Sequence, residues 1–139
     1  MLGARKFKLK WDGFSFWELI VMRNFKTLNV WSSSLTISKH LIKILKKKEF
    51  RQYFDLKNQI FKSSISIPSN IAEGCSRSSN KEFRRYLEIS LGSAFELETQ
   101  LLILNEIASN KQEISNIITN LISIQKILFS LIKKNSATY

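Results

Sequence analysis

The residues that could do chemistry in this chain are few. Asn70, Glu73, Glu96 and Glu98, with Gln59 upstream, fall in stretches of helical period, and paired helix carboxylates are raw material for acid–base or metal chemistry. They lack company. His40 is the only histidine and Cys75 the only cysteine. A di-iron bundle takes a Glu-x-x-His motif from each of two helices, which one histidine cannot supply. One cysteine forms neither an internal disulfide nor a thiolate zinc cluster. Nor does a phosphate-binding glycine loop or a serine-nucleophile elbow occur. Catalysis is therefore not expected, and neither is a cofactor or a metal. Gln59, Asn70, Glu73, Glu96 and Glu98 read instead as a structural polar network, satisfied across helix or subunit contacts with Arg77 or Arg84 as partners.

A second set of residues suits phosphate. Lys43, Lys46, Lys47, Lys48 and Arg51 form one basic cluster, and Arg77, Lys81, Arg84 and Arg85 form another. The whole chain carries +11, and lysine supplies 16 of its 22 basic residues. Lysine favours backbone phosphate contact over bidentate base readout. Residues 1–48 hold 11 basic and 2 acidic groups, net +9, whereas residues 49–139 hold 11 and 9, net +2. A basic surface is therefore expected mainly on the first third. In an antiparallel bundle the two clusters are expected at one end, and cations at the start of a helix oppose its dipole, which favours a functional reason there.

The elements that must position these groups are helices. A length of 139 residues fits one domain, and 4 Gly with 1 Pro favour long helices and short loops over strand-and-turn architectures. Residues 1–22 mix Lys and Arg with aromatics and show no helical period, which reads as an irregular, poorly ordered extension. Met22 offers an alternative start. The bundle is expected over 23–135, with a tail at 136–139.

The first helix is expected over 27–47, with the seam Leu28, Trp31, Leu35, Ser38, Ile42 and Leu45 and a second stripe Val30, Ile37 and Ile44. The second, over 54–73, carries Leu56, Ile60, Ser64, Ile67 and Ile71. It is expected to kink at Pro68 and to end in a left-handed cap at Gly74. Ser79 with Glu82 caps the third helix, whose seam is Phe83, Leu87, Ser90, Ala94, Leu97, Leu101, Leu104 and Ala108. Ser90, Gly92, Ser93 and Ala94 are expected to admit another backbone closely. Asn110 with Glu113 caps the fourth helix, seamed by Ile114, Ile117, Leu121, Ile124, Leu128 and Leu131. Ile118, Ile122, Ile127, Phe129 and Ile132 add a second apolar surface there, the mark of a homo-oligomer. The apolar stretch Phe14–Met22 is too short to span a bilayer, so no membrane partner is expected and the location is read as cytoplasmic.

The segment Ser64–Gln100 contains Ser66-Ile67-Pro68, Asn70-Ile71-Ala72-Glu73-Gly74, Arg77, Lys81-Glu82-Phe83, Gly92-Ser93 and Glu96-Leu97-Glu98, and Phe25-x-x-Leu28-x-Val30-Trp31 lies upstream. Over residues 23–135 this resembles the bacterial four-helix-bundle family encoded in intervening sequences of 23S ribosomal RNA genes. The resemblance implies an all-α, antiparallel up-down four-helix bundle that assembles as a barrel-like homopentamer. That family is also similar to the accessory variability protein of diversity-generating retroelements, which is basic and binds a reverse transcriptase and nucleic acid. The chain departs from the pattern at Phe61-Lys62, where the family has two arginines, and at Ser76, where it has glycine. The expected function is non-enzymatic binding of RNA or DNA through the basic surface. The alternative is an oligomeric adaptor for a protein partner such as a reverse transcriptase.

Overall fold

A computed structural model of the chain describes residues 23–136. The expected extension at 1–22 lies outside the described residues, as does all but the first residue of the expected tail. Four helices follow in order: α1, Asn29–Ile44; α2, Phe54–Cys75; α3, Asn80–Ile107; α4, Lys111–Lys134. Short 3-10 turns at Phe25–Thr27 and Lys48–Phe50 lead into α1 and α2. Each helix packs on its neighbours in the chain, and α4 closes the ring on α1.

Both predicted caps form. The Ser79 hydroxyl accepts from the Glu82 amide, and the Asn110 side chain accepts from the Glu113 amide, each answering an orphan donor of the first turn. The α3 seam is buried at every predicted position from Phe83 to Ala108. Ile114, Ile117, Leu121, Ile124 and Leu128 of α4 are buried against it. Fully burying a leucine or isoleucine is worth about 1.5–3 kcal/mol, so these seams carry the fold.

Three expectations need correction. In α1 the buried line is Val30, Ser34, Ile37, Leu41 and Ile44, flanked by Ser38 and Leu45, while Ile42 is exposed. The stripe read as secondary is the core, because Ser34 completes its spacing without being apolar. The helix also ends at Ile44, so Lys46, Lys47 and Lys48 lie beyond it. Second, Gly74 is no left-handed cap. It is a buried interior residue of α2, and a Cβ there would stand 2.8 Å from Tyr86 Cβ and 3.2 Å from Phe83 Cδ2. Glycine is needed for the close approach of α3. Third, Gly92 is exposed with nothing within 4 Å of an added Cβ, whereas Ser90 and Ser93 do meet α2.

α2 runs through Pro68 without a break. Proline brings no amide to the carbonyl of Ser64. That carbonyl is met from outside the helix: Ser38 Oγ of α1 donates to it at 2.8 Å. A serine in the α1 core therefore answers the acceptor that a proline in α2 leaves open.

By length and composition α4 is long and apolar enough to cross a membrane. The buried stripe of α4 is what a bundle core requires of its last helix.

Candidate nucleic-acid interface

Residues that carry the family resemblance converge on the seam between α2 and α3. Asn70 Nδ2 donates to the Ser66 carbonyl at 2.8 Å and to Ser66 Oγ at 2.9 Å, and Ser66 Oγ pairs with Ser93 Oγ at 2.8 Å. Ser90 Oγ donates to the Ile67 carbonyl at 3.0 Å, and Ser63 Oγ to Gln100 Oε1 at 2.6 Å. At the top of the seam Arg77 donates to Glu73 at 3.0 Å and to the Tyr86 hydroxyl at 2.7 Å, with its guanidinium 4.9 Å from the Tyr86 ring. Tyr86 is the largest influence raising the Arg77 pKa above its ordinary value; burial opposes it and Glu73 adds to it. Small hydroxyl side chains let two backbones come close while satisfying polar groups.

Of the five residues read as a polar network, Asn70 bonds Ser66 and Glu73 accepts from Arg77. Glu98 does not use an arginine: it accepts from Gln125 Nε2 of α4 at 2.6 Å. Arg84 lies 3.5 Å from Glu88 instead, and its Nε has no hydrogen-bond partner. Gln59 and Glu96 are exposed, and among the described residues their side chains meet no partner. Their outward position on their helices is the reason.

Arg23 was not singled out from sequence. It donates to the Arg77 carbonyl at 3.3 Å and to Asn80 Oδ1, and its guanidinium lies 4.2 Å from the Phe83 ring centre. It fastens the entry of the chain to the α2–α3 turn. Standing at the edge of an irregular segment, it offered no periodic signal.

The two basic clusters do not share an end. Lys47 Nζ pairs with Glu113 Oε2 at 2.7 Å, and the Ser109 amide donates to Glu49, so the α1–α2 turn lies beside the α3–α4 turn. Arg77, Lys81, Arg84 and Arg85 sit at the opposite end with Arg23. The whole of α2 separates them, about 33 Å for 22 residues. In an up-down bundle the end of the first helix and the start of the third are necessarily apart.

At the α1–α2 turn Lys43, Lys46, Lys48 and Arg51 are exposed, and among the described residues none has a carboxylate in ion-pair range. Lys47 is the exception. Glu113 takes Lys47 and His40 (3.3 Å), and its pKa is lowered, by Lys47 first and His40 after, with burial opposing. Across the bundle Lys81 and Arg85 are likewise unpaired among the described residues, but Arg77 and Arg84 are engaged with Glu73 and Glu88.

A groove of about 260 Å³ lies between α1 and α4, lined by Ser33, Thr36, Ile37, Asn120, Ser123, Ile124 and Ile127. None of these side chains titrates, so the groove offers no acid–base group. Among the described residues no group of three His, Cys, Asp or Glu is placed to hold a metal ion. Cys75 is buried, and burial raises its thiol pKa against the opposing charge of Arg23.

A family model for the 23S rRNA-intervening sequence protein matches residues 26–130. The chain is also similar to a solved protein of unknown function from the S23 ribosomal protein family of Bacteroides thetaiotaomicron VPI-5482. The two share 29% identity at a TM-score of 0.69, over 75% of this chain and 98% of that one. No curated protein matches the chain.

Proposed function

We propose that this chain, which belongs to the family of 23S rRNA-intervening sequence proteins, is a non-enzymatic, oligomeric four-helix bundle that binds nucleic acid through the cations of its α1–α2 turn. The observation that carries this reading is the set Lys43, Lys46, Lys48 and Arg51. Four exposed cations at one end of a bundle, with no carboxylate in ion-pair range among the described residues, hold a positive field that phosphate satisfies. Lys81 and Arg85, with Lys133 and Lys134 at the end of α4, make a second patch at the far end. Contact of this kind is directed to the backbone, salt-sensitive and weak in sequence preference.

Self-association is supported by apolar surface on two diagonally placed helices: Phe54 (67% exposed) and Ile65 (48%) on α2, and Ile127 (42%) and Phe129 (55%) on α4. Two different apolar faces suit head-to-tail assembly into a ring, which repeats each basic patch around it and multiplies weak contacts.

The test is binding of the purified protein to labelled single- and double-stranded RNA and DNA across a salt series, with mass determined by light scattering. Affinity falling linearly in log salt supports the reading, and the slope counts the phosphates engaged. An oligomer that leaves every nucleic acid free at low salt sinks it and favours the adaptor for a protein partner.

A further inference from the structure

The aromatic side chains of the described residues sort by what already engages them. Phe50 and Phe83 are buried, and Arg23 lies 4.2 Å from the Phe83 ring centre. Phe25 meets Trp31 edge-on, with ring centroids 5.0 Å apart. Tyr86 holds Arg77, Lys133 lies 5.6 Å from the Phe129 ring centre, and Phe61 packs against the core. Phe54 is different. At 67% it is the most exposed large hydrophobic among the described residues, and among them no aromatic ring pairs with it and no cation lies over its face. Phe95 is likewise unengaged among those residues, but it stands in the middle of α3 beside Glu96.

Phe54 stands elsewhere. It opens α2 three residues after Arg51, a reach of at most about 11 Å of extended chain. The chain here is tightly turned: the Arg51 amide donates to the Lys48 carbonyl and the Tyr53 amide to the Phe50 carbonyl, each at 3.1 Å. The ring therefore shares one turn with Lys46, Lys48 and Arg51, exposed cations with no carboxylate in ion-pair range among the described residues. Asp55 is the acidic residue of the first turn of α2, set about 100° round the helix from Phe54.

A single exposed apolar side chain is ordinary. An exposed, unengaged ring beside exposed cations is the combination that holds single strands: the cations follow the backbone and the ring takes the face of a base. Bases in a duplex are stacked on one another and present only their edges in the grooves. A ring reaches the face of a duplex base only by unstacking it.

We propose that Phe54 is a base-stacking platform, and that the α1–α2 turn takes single-stranded RNA or DNA, one base laid on this ring, in preference to duplex. The proposal rests on the reading of that turn as a phosphate-binding surface. Ile65, about 16 Å further along α2 at the helical rise, and the apolar residues of α4 are left for self-association.

The test titrates the full-length parent, Phe54→Ala, Phe54→Leu and Phe54→Trp with labelled oligouridylate, oligothymidylate and a DNA duplex of equal length across a salt series. Light scattering gives the mass of each variant. Phe54→Ala and Phe54→Leu are expected to weaken single-strand binding by roughly 5- to 100-fold, the worth of one base–aromatic stack, at an unchanged salt slope. Their duplex affinity and their mass are expected to stay at the parent's. Phe54→Trp, with a larger π-face, is expected to hold the single strand as tightly as the parent or more so. A loss confined to one of the two homopolymers supports the proposal and identifies RNA or DNA as the strand taken. Parent affinity in Phe54→Leu would show an apolar contact in place of a stack and overturn the proposal. So would an unchanged single-strand affinity in Phe54→Ala, an equal loss on strand and duplex, or a fall in the mass of that variant. A parent that binds duplex but no single strand overturns it while the phosphate reading stands. A parent that binds neither sinks that reading, and this proposal with it.

Discussion

At two glycines of similar helical setting the same substitution is expected to act in opposite directions. Alanine gains roughly 0.5–1 kcal/mol over glycine inside a helix, because less backbone freedom is lost on folding. At Gly92 nothing lies within 4 Å of the added methyl, so Gly92→Ala is expected to stabilise by that amount. At Gly74 the methyl meets Tyr86 Cβ at 2.8 Å, an atom fixed to the α3 backbone that cannot swing aside. Overpacking of this kind typically costs about 1–3 kcal/mol and outweighs the gain. Gly74→Ala is therefore expected to lower the denaturation midpoint and Gly92→Ala to raise it. Urea melts of both variants beside the parent decide the signs.

The contact between elements most open to test joins α1 to α2 at Pro68. Ser38→Ala removes the donor that meets the Ser64 carbonyl and leaves a buried acceptor bare. A buried unsatisfied group costs about 1–3 kcal/mol. Pro68→Ala returns a backbone amide to that carbonyl, so the cost of Ser38→Ala is expected to shrink in the Pro68→Ala background. A double-mutant cycle by chemical denaturation measures the coupling, and a value near zero removes this account of the proline. A second link, between the end of α1 and the start of α4, is electrostatic. Because the Glu113 pKa is lowered in the fold, the unfolded chain binds more protons as pH falls through the carboxylate range. The stabilisation is present above the ordinary carboxylate value and is lost as pH drops through the folded one. Glu113→Gln is expected to cost about 0.2–1 kcal/mol at neutral pH, the range of solvent-screened pairs. Thermal melts against pH should show parent and variant converging in acid.

These elements also show what was legible in sequence. The α3 seam could be read in full because every core position holds an apolar or small residue at unbroken 4-3 spacing. The α1 seam was displaced because one buried position, Ser34, is not apolar; Ser38, which the expected seam does contain, is buried and meets the Ser64 carbonyl. Within the polar network, Asn70 and Glu73 were found through their motif. The Glu98–Gln125 pairing was not, since it depends on the register of α4 against α3. The two basic clusters were legible as charge, and the expected up-down order already places them at opposite ends; the expectation of a shared end did not follow from that order.

On the scale of the whole molecule, that placement determines how charge substitutions should combine. The clusters stand about 33 Å apart along α2, well beyond the Debye length of roughly 8–10 Å near physiological salt. Each end therefore meets phosphate without sensing the other, and their effects on log K should add. Replacing Lys46, Lys48 and Arg51 together by alanine removes three exposed cations that have no carboxylate in ion-pair range among the described residues. The log K against log salt slope on duplex DNA is expected to become shallower by about 2–3, at roughly 0.9 per phosphate contact. Alanine at Lys81 and Arg85 should reduce the slope separately, by about 1–2. Arg77→Ala should behave differently, because its charge already faces Glu73 and its hydrogen bonds hold the α2–α3 seam. It is expected to lower thermal stability and leave the slope nearly unchanged. Titrations of the three variants at four or more salt concentrations separate these outcomes. A parent slope retained when Lys46, Lys48 and Arg51 are all alanine would remove the α1–α2 turn from the interface and turn the search to the far end.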